Sequence, residues 1–161
     1  MFCFSFKVCA RAVSKSIFFA ALFALITIQP AQLRAQRPEG EPAFSDFKGV
    51  RIGSSTDEAR KKLGSPREKS DDQDFYVFND NQAVQVFYDK TAKVSAISID
   101  YMSGASGIPS PKDVLGTDAD KKPDGSLYKM VRYPKAGYWV SYSRTAGDSP
   151  TTTVTIQKIE H

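Results

Sequence analysis

The sequence contains few residues of the types that carry catalysis. Its one histidine is His161, at the end of the sequence, where a side chain is poorly placed to act as a general base or a metal ligand. Two Ser-x-x-Lys matches, Ser45–Lys48 and Ser126–Lys129, lack the desolvated helix start that a Ser-Lys nucleophile needs. The first precedes the expected core, and the second enters a predicted strand whose positions i and i+3 face opposite ways. We therefore interpret the protein as a non-enzyme.

Two groups of aspartates have the composition of a carboxylate site. The first group consists of Asp71, Asp72, Asp74 and Asp80. Because these residues flank predicted turns, we expect solvated loops rather than acid–base chemistry or calcium binding. The second group lies in the segment 118–125 (DADKKPDG), where Lys122 occupies the place of a third calcium ligand. We expect no metal and no cofactor.

Residues 1–35 have the pattern of a secretory signal peptide. Three basic residues precede the apolar run 17–28, Pro30 breaks that run, and Ala35 or Ala31 offers a cleavage point. The run is shorter than the roughly 20 residues that span a bilayer as a helix. We expect a cleaved leader, a periplasmic or secreted protein and no stable membrane span after cleavage. An uncleaved anchor is the alternative.

Removal of this leader changes the composition of the chain. Four of the 22 basic residues lie in 1–35, which leaves 18 basic residues against 18 acidic ones in 36–161. The positive charge of the whole chain thus gives no support for nucleic-acid binding. Cys3 and Cys9 also lie in the leader, so the mature chain has no disulfide, no thiol nucleophile and no cysteine for lipid attachment.

The remaining sequence predicts a flexible lead-in (36–43) and a single domain (44–161). Within the domain, Gly49–Pro66 predicts a short helix with both ends marked. Ser55 and Glu58 can form a capping box at its start, and Gly64 can end it. A helix of about eight residues with two apolar side chains is not stable alone in water, so it must lie on another element.

Period-two alternation of apolar and polar residues predicts antiparallel strands after this helix. The predicted strands are 75–78, 83–88, 94–101, a segment from 127, 137–143 and 152–159. A second, shorter helix begins near Pro111, and its Leu115-Gly116 lies 52 residues after Leu63-Gly64. We predict an α+β fold in which one antiparallel sheet of six strands carries short helices on one face. Two tandem helix-β-β-β repeats, 44–103 and 104–161, would build it.

The alternation also predicts which side chains each face of the sheet presents. The residues expected under the helices are Val84, Val86, Ile97, Ile99, Val140, Val154 and Ile156. The residues expected on the open face are Tyr76, Phe78, Phe87, Tyr128, Met130 and Trp139. Because an exposed apolar patch commonly marks an interaction site, we expect the second set to bind a protein, with Phe87 and Trp139 as anchors. The alternative is that these rings pack under a loop or form a second small core.

The helix region resembles a known family. The run 48–66 (KGVRIGSSTDEARKKLGSP), an aromatic strand and 87–94 (FYDKTAKV) are similar to the BamE (SmpA/OmlA) domain, a small lipoprotein component of the outer-membrane β-barrel assembly machinery. The matching positions are Gly53, Ser55, Asp57, Leu63, Gly64 and Pro66, and the resemblance covers roughly residues 47–101. Two tandem copies of such a unit look like the secreted β-lactamase inhibitor proteins, whose sheet binds an enzyme.

The resemblance implies an exported, non-catalytic protein-binding module. Its partner would be another protein of the envelope or the secreted fraction. One version is an accessory of outer-membrane assembly. The alternatives are a secreted inhibitor of a hydrolase and a carrier of a small ligand.

Overall fold

The alternating segments form the strands of one antiparallel sheet in the computed structural model, which describes residues 42–160. The predicted signal peptide 1–35, most of the lead-in 36–43 and His161 lie outside the described residues. In chain order the elements are α1 (Thr56–Leu63), β1 (Glu68–Lys69), β2 (Gln73–Asn79), β3 (Gln82–Tyr88), β4 (Val94–Tyr101), α2 (Pro111–Leu115), β5 (Asp120–Lys121), β6 (Leu127–Tyr133), β7 (Tyr138–Arg144) and β8 (Thr152–Lys158).

The strand order of the sheet is β1-β2-β3-β4-β8-β7-β6-β5. The two halves of the sheet meet where β4 pairs with β8, with Ser98 opposite Thr155. Each half contains one helix followed by four strands, whereas the sequence predicted three strands for each half. The additional strands are β1 and β5, which have two residues each and are too short to show a period-two pattern.

The predicted α+β class is wrong, because the described residues form a mainly β fold. The two helices have only eight and five residues and bury four apolar side chains between them: Ala59, Leu63, Val114 and Leu115. Eight strands span about 34 Å across the sheet, whereas an eight-residue helix is about 12 Å long. Two such helices cannot form a layer over this sheet.

The core lies on one face of the sheet. All seven aliphatic residues predicted to face inwards are fully buried, and this part of the prediction is confirmed. The cover of the core comes from several short segments, since the segment 44–52 contributes Phe47 and Val50, and Ala105 and Ala119 pack on it from loops. Turns and loops therefore cover much of the core, where the sequence predicted helices.

The helix ends that the sequence predicts at Gly64 and Gly116 are present, and the predicted capping box of α1 is present in part. In α1 the Ser55 hydroxyl accepts the backbone N–H of Glu58 at 3.2 Å. The Glu58 carboxylate instead binds Lys62 Nζ at 2.6 Å, so only half of the predicted capping box is present. Gly64 ends α1 with a φ of +89°, which favours glycine. In α2 a complete capping box joins Ser110 and Asp113.

The 52-residue spacing holds for the helix ends but not for the strands. Leu63 and Leu115 are the last residues of α1 and α2. Tyr76 and Tyr128 have the same spacing, yet Tyr76 is 2% exposed and Tyr128 is 43% exposed. Neighbouring positions of a strand face opposite ways. The number of residues from the end of the helix to an equivalent position in the following strand therefore differs by an odd number between the two halves.

Candidate protein-binding face

The open face is the face of the sheet opposite the core. Residues that pair directly across antiparallel strands present their side chains on the same face, so the register places the outward side chains of β3, β4, β8 and β7 in three rows. The first row is Phe87, Ala96, Gln157 and Trp139. The second row is Gln85, Ser98, Thr155 and Ser141. The third row is Ala83, Asp100, Thr153 and Ser143.

These twelve side chains include a single charge. Charged residues make up 25% of the chain, so a solvated face of this size would carry about three. The single charge belongs to Asp100, whose Oδ1 accepts the Thr153 hydroxyl at 2.6 Å. Ser98 Oγ and Thr155 Oγ1 lie 3.3 Å apart across the junction of the two halves. The centre of the open face is thus polar but almost uncharged.

Larger apolar side chains flank this centre on both sides. On β2 they are Phe75 and Val77, and on β6 they are Tyr128 and Met130, at positions that the register aligns with the second and third rows. Val77, Tyr128 and Met130 are 42%, 43% and 42% exposed. The first row ends instead at Gln73 on β2 and at the exposed Arg132 on β6. The result is a mostly polar floor between two margins that are apolar beside the second and third rows, and it spans about 24 Å from β2 to β6.

Four of the six predicted binding residues lie on the open face. Tyr128 and Met130 are exposed at its β6 margin, and Phe87 and Trp139 are half-buried in its first row. Ala96 and Gln157 separate these two rings, so the strands that carry them lie about 14 Å apart. The two predicted anchors therefore do not touch each other but stand on either side of the floor.

The assignment of Tyr76 and Phe78 to the open face is wrong. Tyr76 pairs with Val84, which is fully buried, so Tyr76 lies on the core face. Phe78 stacks on Tyr76 with a centroid distance of 6.2 Å and meets Phe47 edge-on at 5.7 Å. Lys48 Nζ lies 3.8 Å from the centroid of the Phe78 ring. Both aromatic residues belong to the core and its rim, and neither is part of the open face.

Phe75 and Val77 are the residues of the open face that the sequence interpretation missed. Strand β2 carries two interleaved apolar series, Phe75 with Val77 and Tyr76 with Phe78. Period two alone cannot tell which series is buried. Asp74 is the residue that indicates which series is buried. A buried carboxylate needs hydrogen-bond donors on its own face, and Tyr76 and Tyr88 are those donors.

A shallow depression lies at the β3 side of the open face. It has a volume of about 530 Å³ and is lined by Gln85, Phe87, Ala96, Ser98, Thr155 and Gln157 among others. Its floor offers hydroxyl and amide groups, and one wall is the Phe87 ring. Such a surface can seat a protruding protein segment by apolar contact at its margin and hydrogen bonds at its floor.

The described chain also holds one buried charge, Asp74, which the sequence interpretation placed in a solvated loop. That interpretation is wrong, since Asp74 is 0% exposed. Arg60 Nε donates to Asp74 Oδ2 at 2.8 Å and Arg60 Nη2 donates to Oδ1 at 2.9 Å. The hydroxyls of Tyr88 and Tyr76 donate to Oδ2 at 2.7 and 3.2 Å. This network joins α1 to β2 and β3.

The network fixes the charge state of each member. Burial alone would raise the pKa of Asp74, but the hydrogen bonds from Arg60 and Tyr88 lower the pKa below its ordinary value of 3.8. The hydrogen bond to Asp74 raises the pKa of Arg60. Burial, with the nearby Asp74 charge, raises the pKa of Tyr76 to about 12, and burial with the Asp74 hydrogen bond raises the pKa of Tyr88. At neutral pH the network therefore consists of the ion pair of Asp74 with Arg60 and the neutral phenols of Tyr76 and Tyr88.

A groove of about 680 Å³ runs beside this network, between the start of α1 and the turn 89–93. Arg60 and Tyr88 line it, together with several exposed aspartates and lysines. Asp74 itself has no exposed surface and directs its oxygens at donors inside the fold. The carboxylate therefore cannot reach a substrate in the groove, and its hydrogen bonds instead connect α1 to the sheet.

Among residues 42–160, no group of histidine, cysteine, aspartate and glutamate side chains is arranged to hold a metal ion. No helix in that part of the chain has the length and apolar character needed to cross a membrane.

Comparison of the chain with known protein families, with curated proteins and with solved structures found no match.

Proposed function

We propose that this protein is an exported, non-catalytic protein-binding module that uses the open face of its sheet. The observation that carries the proposal is the near absence of charge at the centre of that face, between apolar margins. Depletion of charged residues, with enrichment of aromatic residues and methionine, is the composition of the core of a protein–protein interface.

The dimensions of the open face also suit a protein partner. Three rows of side chains across six strands cover several hundred Å², the same order of area as the roughly 800 Å² that each partner of a standard protein–protein interface buries. The first row supplies Phe87 and Trp139 and the β6 margin supplies Tyr128 and Met130. Aromatic residues of this kind dominate binding energy in many interfaces. The floor supplies hydroxyls and amides that can pair with the backbone of an inserted loop.

The residue inventory supports a non-catalytic role. Residues 42–160 contain no histidine and no cysteine, and the one buried carboxylate is saturated by an arginine and two tyrosines. Serine nucleophiles that depend on a histidine base are absent for the same reason. Binding is therefore the activity that the described side chains support best.

The resemblance to the BamE domain supports one version of the partner. Residues 48–66 carry that resemblance, and they form α1 with its flanking segments. On this version the partner is a component of the outer-membrane assembly machinery. A secreted hydrolase is the second version, and the identity of the captured partner separates the two.

The proposal is tested by capture of a partner with a double variant, Phe87→Ser with Trp139→Ser. The purified exported protein is immobilised, and envelope and secreted fractions of the source cells are passed over it. We expect the double variant to bind the captured protein at least about 2 kcal/mol more weakly, which is the range of interface hot spots. Equal capture by both proteins would show that the open face is not the binding surface.

A control is Ile108→Ser, which changes an exposed apolar side chain in the loop before α2, beside the core-face residues Leu127 and Tyr142. We expect this variant to capture the partner as well as the unchanged protein does. Circular dichroism of all three proteins establishes that each one is folded.

A further inference from the structure

The two outer margins of the sheet differ in how much unpaired backbone they leave. At one margin, β1 covers part of β2, and a register irregularity follows between Val77 and Asn79. At the other margin, β5 pairs only with Leu127 and Tyr128. In the described chain no strand pairs with the outer side of the segment 129–133, which we call the β6 edge.

The hydrogen-bond pattern shows which backbone groups point out of the β6 edge. Lys122 N–H donates to Ser126 C=O at 2.8 Å, so the backbone groups of Ser126 point towards β5. In an antiparallel ladder this direction recurs at every second residue, and therefore Met130 and Arg132 point their N–H and C=O groups outwards. On β2, Arg67 N–H donates to Phe75 C=O at 2.7 Å, so the backbone groups of Phe75 point towards the β1 side. By the same rule the backbone groups of Val77 point outwards, just before the irregularity.

The charges around the β6 edge are unequal. Residues 117–135 contain five basic side chains and three acidic ones. The acidic side chains are engaged locally: Asp118 with Lys112 at 3.4 Å, Asp120 with Lys129 at 3.4 Å, and Asp124 with Ser126. Arg132 is exposed, and none of the ion pairs within residues 42–160 includes it. The edge thus carries a net positive charge.

We propose that the β6 edge binds an extended acidic segment of a partner protein by strand addition. The outward backbone groups of Met130 and Arg132 would form the ladder, and an acidic residue of the segment would pair with Arg132. Main-chain hydrogen bonds supply affinity in this binding mode, and side chains at alternate positions supply specificity.

A second copy of the chain fits the β6 edge less well than an acidic strand does. Basic side chains at a sheet edge oppose pairing with a like edge. In some registers of a symmetric pair of β6 edges, Arg132 would lie opposite or diagonal to Arg132 of the other copy. In the remaining register, Lys129 and Arg132 would lie opposite apolar side chains. An acidic segment removes this penalty and turns the same charges into favourable contacts.

The test uses the purified exported protein and three blocked nine-residue peptides. One alternates threonine with glutamate, the second alternates threonine with lysine, and the third is the glutamate peptide with N-methyl groups on the edge that would pair. Binding is measured by fluorescence anisotropy up to about 1 mM, the weak end of specific affinities. We expect only the unmethylated glutamate peptide to bind, more weakly as salt is added.

The variants separate backbone pairing from side-chain contact. Met130→Pro removes one outward N–H and is compatible with an edge strand, and we expect it to weaken binding of the glutamate peptide about tenfold or more. Met130→Ser removes the side chain but keeps the N–H, and we expect little change. The matched control is Val77→Pro at the opposite margin, which should leave the affinity unchanged.

Four results would overturn the inference: no binding of the glutamate peptide, equal binding of the N-methylated peptide, equal loss in Met130→Pro and Met130→Ser, or a dimer of the chain that Met130→Pro abolishes. The inference concerns the β6 edge and does not rest on the proposed function. Its test uses peptides, whereas the test of the open face uses partner capture with Phe87 and Trp139, so each can fail alone.

Discussion

Asp74 is the buried carboxylate at the centre of a hydrogen-bond network between α1 and the sheet. Its two oxygens together accept hydrogen bonds from Arg60, Tyr76 and Tyr88, and no buried side-chain polar atom in the described chain lacks a partner. A buried charge costs free energy unless it is paired and hydrogen-bonded. The completeness of this network explains how a mainly apolar core tolerates a carboxylate.

The first prediction concerns the charge of Asp74. Asp74→Asn keeps the shape of the side chain but leaves the Arg60 guanidinium without its counter-charge, and we expect a loss of about 2–4 kcal/mol in the free energy of unfolding. The control is Asp71→Asn, at an exposed position three residues earlier, which should cost less than about 0.5 kcal/mol. Urea denaturation at neutral pH measures both. Equal midpoints for the two variants would mean that the network does not stabilise the fold.

The second prediction concerns alkaline pH. The folded protein raises the pKa of Tyr76 to about 12 and also raises the pKa values of Tyr88, Tyr101 and Tyr138 above the ordinary value of 10.0. A group whose pKa is higher in the folded state stabilises that state below the unfolded pKa and loses this contribution as pH rises. We expect the free energy of unfolding to fall from about pH 10 towards pH 12.

Near-ultraviolet titration of tyrosinate checks this prediction. These four tyrosines should ionise together with unfolding. Ionisation of these four tyrosines near pH 10 in a protein that remains folded would contradict it.

At the scale of elements, the sequence predicted the pieces better than their arrangement. The bounds of α1 follow from its caps, and β4 begins and ends where the alternation predicts. The placement of β2 failed, because both of its faces carry apolar residues and only a tertiary contact, Asp74 with Tyr88, decides which face is buried. The predicted α+β class is wrong because the four apolar side chains that the two helices bury cannot cover eight strands.

The third prediction concerns the contact between α1 and the core. Leu63 is 9% exposed and belongs to the buried cluster, so Leu63→Ala should destabilise the protein by about 2–4 kcal/mol. Lys61→Ala changes an exposed position of the same helix and should cost less than about 0.5 kcal/mol. If urea midpoints show no difference between these variants, then α1 does not stabilise the core.

At the scale of the whole molecule, the open face is the feature that the sequence located only in part. The period-two pattern placed Phe87, Tyr128, Met130 and Trp139 on it correctly. It could not reveal that the centre of the face is nearly free of charge, because that property appears only when β4 and β8, which are 57 residues apart at Ser98 and Thr155, are placed side by side. Non-local pairing created the surface.

The fourth prediction concerns export of the molecule. The basic residues and apolar run of 1–35 predict a cleaved leader, so the mature N-terminus should lie between Gln32 and Arg37. Mass spectrometry of the protein from the periplasm or the medium measures it. Recovery of a chain that begins with Met1 from the membrane fraction would indicate an anchor instead.

Site-specific photocrosslinking in intact cells tests the central claim most directly. A photoreactive amino acid replaces Thr155 at the centre of the open face or, as a control, Lys61 on the exposed side of α1. We predict a discrete crosslinked partner from position 155 that disappears when Phe87 and Trp139 are changed to serine, and none from position 61. No crosslink from position 155, or the same crosslink from both positions, would contradict the assignment of the open face as the binding surface.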